Sequence, residues 1–299
     1  MKKQVLLILL VIFSKSMYAQ TQVSFSFQAH QDDWQLFMSS KIVEDLNNGG
    51  KVVFVTLTSG DASCGTCTYG VIPFYLARET GSVRSAKFAA DLAGAIPSPR
   101  PDSVRVTVNG HSVVKYVYKN TVNYFFRLPD GDLSGNGFPN TGYNSLRKLK
   151  LGLISSLTSI DGATTFTSWL DLTNTLKEVI NTERGLDNQV WVNKASLDTL
   201  VYNQNDHMDH IYTSIAVEET VSDMPWVGIN EFLDYYSSAL PPNLSFSDHA
   251  NACAIFGVSV WGLHENTYTT HFDEGHKGWL SRDYITVKRV PQGNAPMRQ

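Results

Sequence analysis

The chain has 299 residues, 42 % of them apolar and 17 % charged, with a formal net charge of −4, the balance of a globular chain large enough for one big domain or two modest ones. With no basic run to offset that charge, composition excludes nucleic acid as a partner. No stretch approaches the ~20 continuous apolar residues of a transmembrane helix, which excludes stable membrane insertion.

In chain order, Lys2 and Lys3 precede an apolar run from Val5 to Phe13 and a small-residue site ending at Ala19. That is the pattern of a cleaved export signal, so cleavage is expected after Ala19, with the mature protein periplasmic or secreted. Residues 1–19 take with them three lysines and no acid, which moves the net charge of residues 20–299 from −4 to −7.

Val23 to Phe27 alternates as a strand does, and Lys51 to Thr58 is a near-continuous β-branched run of the kind found in a buried parallel strand. Between them Leu36, Phe37, Ile42, Val43 and Leu46 recur at helical spacing and Gly49–Gly50 stops the helix, giving a βαβ unit. Cys64-Gly-Thr-Cys67 then forms a loop. With Cys253 it makes three cysteines in a chain bound for an oxidising compartment, so a disulfide is expected while its pairing stays open. A second helical pattern spans Phe74 to Leu92 and ends at Gly94.

Val104, Val106 and Val108, the turn Asn109–Gly110 and the run Val113 to Tyr118 read as a β-hairpin. Pro129 to Tyr143 is rich in turn formers and reads as an exposed loop. Later elements are a helix from Thr165 to Glu183 stopped by Gly185, a strand at Gln189–Val192, and a helix starting near His207. A strand at Trp226–Phe232, a helix at Asp248–Leu263 and a strand near Tyr284–Val290 complete the chain. The expected fold is α/β: a Rossmann-like, doubly wound, mainly parallel sheet with an inserted β-hairpin and C-terminal additions.

The chemistry concentrates at two junctions of strand and helix. His30 and Asp33 lie three apart just after the first strand; His207 and His210 lie three apart at a later helix start, with Asp209 between them. Imidazole with carboxylate is a good divalent-metal set, and three protein ligands leave a coordination position open for chemistry. Each stretch also has a plainer reading, since Asp32 or Asp33 can cap the helix that follows and "HMDH" can be a solvated turn.

The stretches "AHQDDW", "VVFVTLTSGDAS", "RETGSVRSAKFAADL" and "NDHMDH", in that order, resemble the zinc-dependent de-N-acetylases named after PIG-L and LmbE. The resemblance covers residues 23 to 95 and 189 to 220 and is weaker in the middle and the C-terminal third. It implies a single deacetylase domain over residues 20–299, with zinc or another divalent metal held by His30, Asp33 and His210. It makes Asp32 the general base, His207 the group that stabilises the oxyanion and protonates the amine, and Asp209 the carboxylate that orients and charges His207. Arg78 falls in a region that lines the substrate pocket. Gln31, Trp34 and Met208 depart from the family's proline, glutamate and proline, and Trp34 is positioned to offer an aromatic face to a sugar ring. His249, His264, His271 and His276, in the weakly matched tail, read as surface or structural residues. The implied substrate is an N-acetylated amino sugar of the N-acetylglucosamine type, in a glycan or glycoconjugate. The competing expectations are a non-catalytic carbohydrate binder on the same fold and an amidohydrolase for a non-sugar amide.

Overall fold

The computed structural model describes residues 22–62, 70–94, 101–187, 189–269 and 272–296. The expected leader (residues 1–19), Cys64, Cys67 and His271 lie outside them.

Strands β1 (Val23–Gln28) and β2 (Lys51–Thr58) pair in parallel, Val23 opposite Lys51 and Gln28 opposite Thr56. The single helix expected between them is two, α1 (Asp33–Phe37) and α2 (Ser39–Asn47), interrupted at Met38. A helix start leaves backbone N–H groups without partners; here Ser40 N and Lys41 N donate to Asp283 Oδ2 at 3.1 and 3.3 Å, so a residue near the far end of the chain caps α2. Helix α3 (Phe74–Leu92) has the expected bounds.

The hairpin expected after it is β3 (Asp102–Val108) and β4 (His111–Tyr118), turning through Asn109 at φ 49° and Gly110 at φ 84°. It is inserted between α3 and the next parallel strand of the sheet. The strand that follows, β5 (Thr121–Leu128), has all its residues buried and pairs in parallel with β2 and antiparallel with β4, which makes the hairpin the edge of the main sheet. A fully buried strand carries no alternation to mark it, which is why β5 escapes sequence reading.

Then come α4 (Leu146–Lys150), the short pair β6 (Leu157–Thr158) and β7 (Thr165–Phe166), and α5 (Trp169–Glu183). Helix α5 starts at Trp169 rather than Thr165, because the Ser168 hydroxyl accepts from Asp171 N as an N-cap; Leu170 faces out, 67 % exposed. Strand β8 (Val190–Ala195), α6 (Met208–Val221), β9 (Val227–Phe232), α7 (Phe246–Glu265), the unexpected short α8 (Glu274–Trp279) and β10 (Ile285–Arg289) complete the chain.

The large sheet runs β10-β9-β8-β1-β2-β5-β4-β3, its five central strands parallel and its edges antiparallel. Side chains of β2 alternate between two cores: Val53, Val55 and Leu57 meet α5 and α6 on one face, while Val52 and Phe54 meet α2, α3 and α7 on the other. Each such fully buried aliphatic or aromatic side chain contributes about 1.5–3 kcal/mol. On the second face α3 and α7 touch backbone to backbone, and a Cβ on Gly262 would sit 2.6 Å from Gly81 Cα. Among the described residues no helix is long and apolar enough to cross a membrane. Chain order reverses beside β1, with β2 on one side and β8 on the other, and open α/β sheets bind ligands at that point, beyond the carboxyl ends of the strands.

Candidate active site

The carboxyl ends of the central strands open onto one cleft of about 240 Å³, lined by His30, Asp32 and Asp33 just after β1, Asp130 just after β5, and His207 at the start of α6. Asp33 is turned back on the chain, its Oδ2 accepting from Ala29 N and His30 N, both at 2.9 Å. That leaves Oδ1 3.6 Å from His30 Nδ1 and 3.3 Å from His210 Nε2, with the two nitrogens 3.3 Å apart. A tetrahedral zinc ion with bonds of about 2.0–2.1 Å sets its ligands about 3.4 Å apart, so the triangle fits such an ion.

The surroundings of the triangle prepare it for positive charge. His210 Nδ1, on the side away from the triangle, meets Asp206 Oδ1 at 2.8 Å and Asp234 Oδ2 at 3.2 Å; these carboxylates fix a proton on Nδ1 and leave the Nε2 lone pair free. His30 Nε2 lies 3.6 Å from Asp209 Oδ2. Burial disfavours charge on His30, but Asp209 and Asp33 outweigh it and push its pKa up to about 10. Burial likewise opposes ionised Asp33, and His210 and His30 overcome it, holding the carboxyl well below its ordinary range. Two protons, or one divalent cation in their place, satisfy this carboxylate-rich pocket.

Asp32 sits beside the triangle at the N-cap position of α1 but makes no capping bond; it pairs with Arg78 Nη2, while Arg78 Nη1 donates to Gly60 O at 2.6 Å. Burial raises the Asp32 pKa, and Arg78 more than reverses that, so the carboxylate is kept ionised. Neither aspartate is therefore a helix cap. Gly60, at φ 53°, is required here, since a Cβ would lie 2.2 Å from the Arg78 guanidinium.

His207, the N-cap of α6, accepts from Asp209 N through Nδ1 at 3.1 Å, which leaves any proton of the neutral ring on Nε2, 3.7 Å from Asp130 Oδ1. Burial, with the nearby His30 and His210 charges, pushes His207 down to about 2. The expected charging of His207 by Asp209 is thus corrected: Asp209 Oδ2 accepts from Gly131 N at 2.8 Å, lies nearer His30, and is 4.0 Å from His207 Nδ1.

Trp34 is corrected too. It is 0 % exposed, packed 4.6 Å from the Phe54 ring with Nε1 3.4 Å from Ser82 Oγ, and presents no face to the cleft. Gln31 is buried as well, donating to Ser59 O at 2.8 Å, so it ties the β1 loop to the end of β2. Met208, half-buried, opens α6 and donates its N–H to Leu133 O at 3.3 Å. Cys253 lies half-buried on α7.

Sequence reasoning missed Asp130, placed in a loop expected to be exposed but 4 % exposed, and Asp234, 1 % exposed after β9. Each is an aspartate within two residues of the end of a parallel strand, a signal the sequence offered for Asp234 after the expected Trp226–Phe232 strand but not for Asp130, whose strand β5 was not expected. It also missed an aromatic wall in which Tyr235 and Trp279 stack at 4.9 Å with an 11° interplanar angle. His276, expected at the surface or in a structural role, borders the same cleft.

No family model and no curated protein matches the chain. Similar solved structures include a pseudoaglycone deacetylase, at 14 % identity over 88 % of this chain and 84 % of that one, TM-score 0.42. A deacetylase triple mutant from the teicoplanin biosynthetic pathway is 11 % identical over 80 % and 81 %, TM-score 0.44. The N,N'-diacetylchitobiose deacetylase of Pyrococcus horikoshii is 14 % identical over 87 % and 79 %, TM-score 0.43. Each of these three solved structures is itself described as a deacetylase.

Proposed function

We propose that the protein is an exported, zinc-dependent de-N-acetylase of the PIG-L/LmbE type, which removes the acetyl group from an N-acetylated amino sugar in a glycan or glycoconjugate. One observation carries the reading: His30, Asp33 and His210 form a zinc-sized triangle with an ionised carboxylate, Asp32, beside it in an accessible cleft. When bound there, zinc would polarise the amide carbonyl and acidify a water molecule.

The chain's own groups supply the rest. Asp32, fixed by Arg78, takes the proton of the attacking water and is the group placed to return it to the departing amine. His207 offers a hydrogen bond from Nε2 to the carbonyl oxygen as negative charge develops on it. Tyr235 and Trp279, stacked on each other at the edge of the cleft, supply apolar aromatic contact for a sugar ring. The alternative of a non-catalytic carbohydrate binder drew on the changed positions Gln31 and Trp34, and both side chains are buried.

The test is acetate release by zinc-loaded protein from a panel of N-acetylglucosamine-containing glycans and non-sugar acetamides, with Asp32→Asn as control. Release from sugars alone supports the reading, release from the non-sugar amides alone replaces the substrate class, and equal rates for wild type and Asp32→Asn remove the mechanism. Export is tested by sequencing the N-terminus of protein recovered outside the cytoplasm, which should begin at Gln20.

A further inference from the structure

The triangle, Asp32 and His207 do not account for the whole wall of the cleft. Leu36 N donates to Asp32 O at 3.1 Å, so helix α1 sets Leu36 and Phe37 one turn beyond Asp32 and Asp33 and on the same side. Both border the cleft while being otherwise packed away, 4 % and 1 % exposed. The Phe37 ring lies 6.2 Å from the ring of His210, the third member of the triangle, and 5.4 Å from the ring of Trp279. An apolar lining therefore begins beside the triangle at Leu36 and Phe37 and runs outward to Tyr235 and Trp279 at the cleft edge.

The carbonyl carbon of a bound amide carries three substituents, and the site offers three kinds of surroundings. The oxygen belongs with the triangle and His207, and the nitrogen beside Asp32, which returns a proton to it. The acyl substituent is left with the apolar side, where an acetyl methyl covers little of the lining that Leu36 and Phe37 provide. We propose that Leu36 and Phe37 form an acyl-chain pocket, so that the protein hydrolyses N-propionyl and N-butyryl amino sugars faster than the N-acetyl compound. The inference rests on the hydrolase reading above and changes the acyl group on which that site acts best. The step is the same for each chain: a water oxygen joins the carbonyl carbon, the C–N bond breaks, a water proton passes to the amine, and a carboxylate and an amino sugar leave. Each further methylene buried against the lining is worth about fourfold in kcat/KM.

The experiment measures free amine released by zinc-loaded protein from N-acetyl-, N-propionyl-, N-butyryl- and N-hexanoylglucosamine, as kcat/KM. Wild type should gain about fourfold per methylene as far as butyryl, about 15-fold over acetyl. Leu36→Phe fills the pocket and should lower the butyryl-to-acetyl ratio about tenfold, whereas Leu36→Ala enlarges it and should move the best substrate to hexanoyl. A ratio taken within one protein cancels any general loss of activity, and zinc content by elemental analysis reports an intact triangle. Butyryl no faster than acetyl in wild type, or a ratio unmoved by both variants, overturns the inference. Release from the acetyl compound alone leaves the hydrolase reading standing, while no amine from any of the four overturns that reading as well.

Discussion

Replacing Asp206 with asparagine tests whether His210 is a metal ligand held by carboxylates behind it. His210 Nδ1 has two acceptors, Asp206 Oδ1 at 2.8 Å and Asp234 Oδ2 at 3.2 Å, and Asp206 Oδ1 also accepts from His207 N at 2.8 Å. Asparagine keeps an oxygen for that backbone bond and removes only the charge, so the perturbation is cleaner than alanine. Losing such a partner typically costs 10–100-fold in metal affinity, about 1.4–2.7 kcal/mol. Because Asp234 remains in reach, Asp206→Asn alone should weaken zinc about tenfold, and the double variant with Asp234→Asn about a hundredfold. Competition against a chromophoric chelator measures this directly. Zinc affinity within twofold of wild type in the single variant, or a double no weaker than the single, would refute the outer carboxylates' role.

Asp32→Asn should lower acetate release about 10²–10⁴-fold with zinc content unchanged, as elemental analysis can check. Trp279→Ala removes half of the stacked pair and should raise KM about 2–10-fold while kcat holds, the size expected for an aromatic contact of about 0.5–1.5 kcal/mol. Glu183 gives a pH dependence: burial raises its pKa, but bonds from Lys115 at 2.7 Å, Lys51 at 2.6 Å and Tyr124 at 2.6 Å outweigh that and hold it below 4.5. A depressed folded-state pKa stabilises above the unfolded value and the benefit is lost as acid is added, so stability should fall below about pH 4.5 and Glu183→Gln should flatten that limb in urea melts. Lys194, 0 % exposed and 2.9 Å from Glu231, should cost about 3–5 kcal/mol when changed to Met alone and much less in the double variant with Glu231→Leu; equal costs in chemical denaturation would show that the pair is not coupled.

Local pattern made β2 and α3 legible residue for residue, because a β-branched run and a long helical spacing each encode their own bounds. Ligand spacing at two strand-to-helix junctions pointed to a His, Asp, His set, while the choice of His210 over His207 as the third member came from the family resemblance. Asp130 and Asp234 were not legible, since a lone aspartate after a strand becomes a site residue only when distant strands lie side by side. The break at Met38 was hidden for the same reason: its cap, Asp283, is over two hundred residues away. Trp34 misled because adjacency to Asp33 says nothing about the direction of the next side chain, which here points into the core.

That long-range cap bears on when the protein becomes active. Synthesis runs from the N-terminus, so His30, Asp32 and Asp33 are made early, yet the helix pair that follows them is completed by Asp283 and the cleft by Tyr235, His276 and Trp279. An incomplete chain therefore carries the three triangle residues without a finished cleft, and the proposed activity would be acquired last. Proteolytic loss of the segment from Glu274 onward would silence the protein while leaving its central parallel strands and the metal triangle in the remaining sequence.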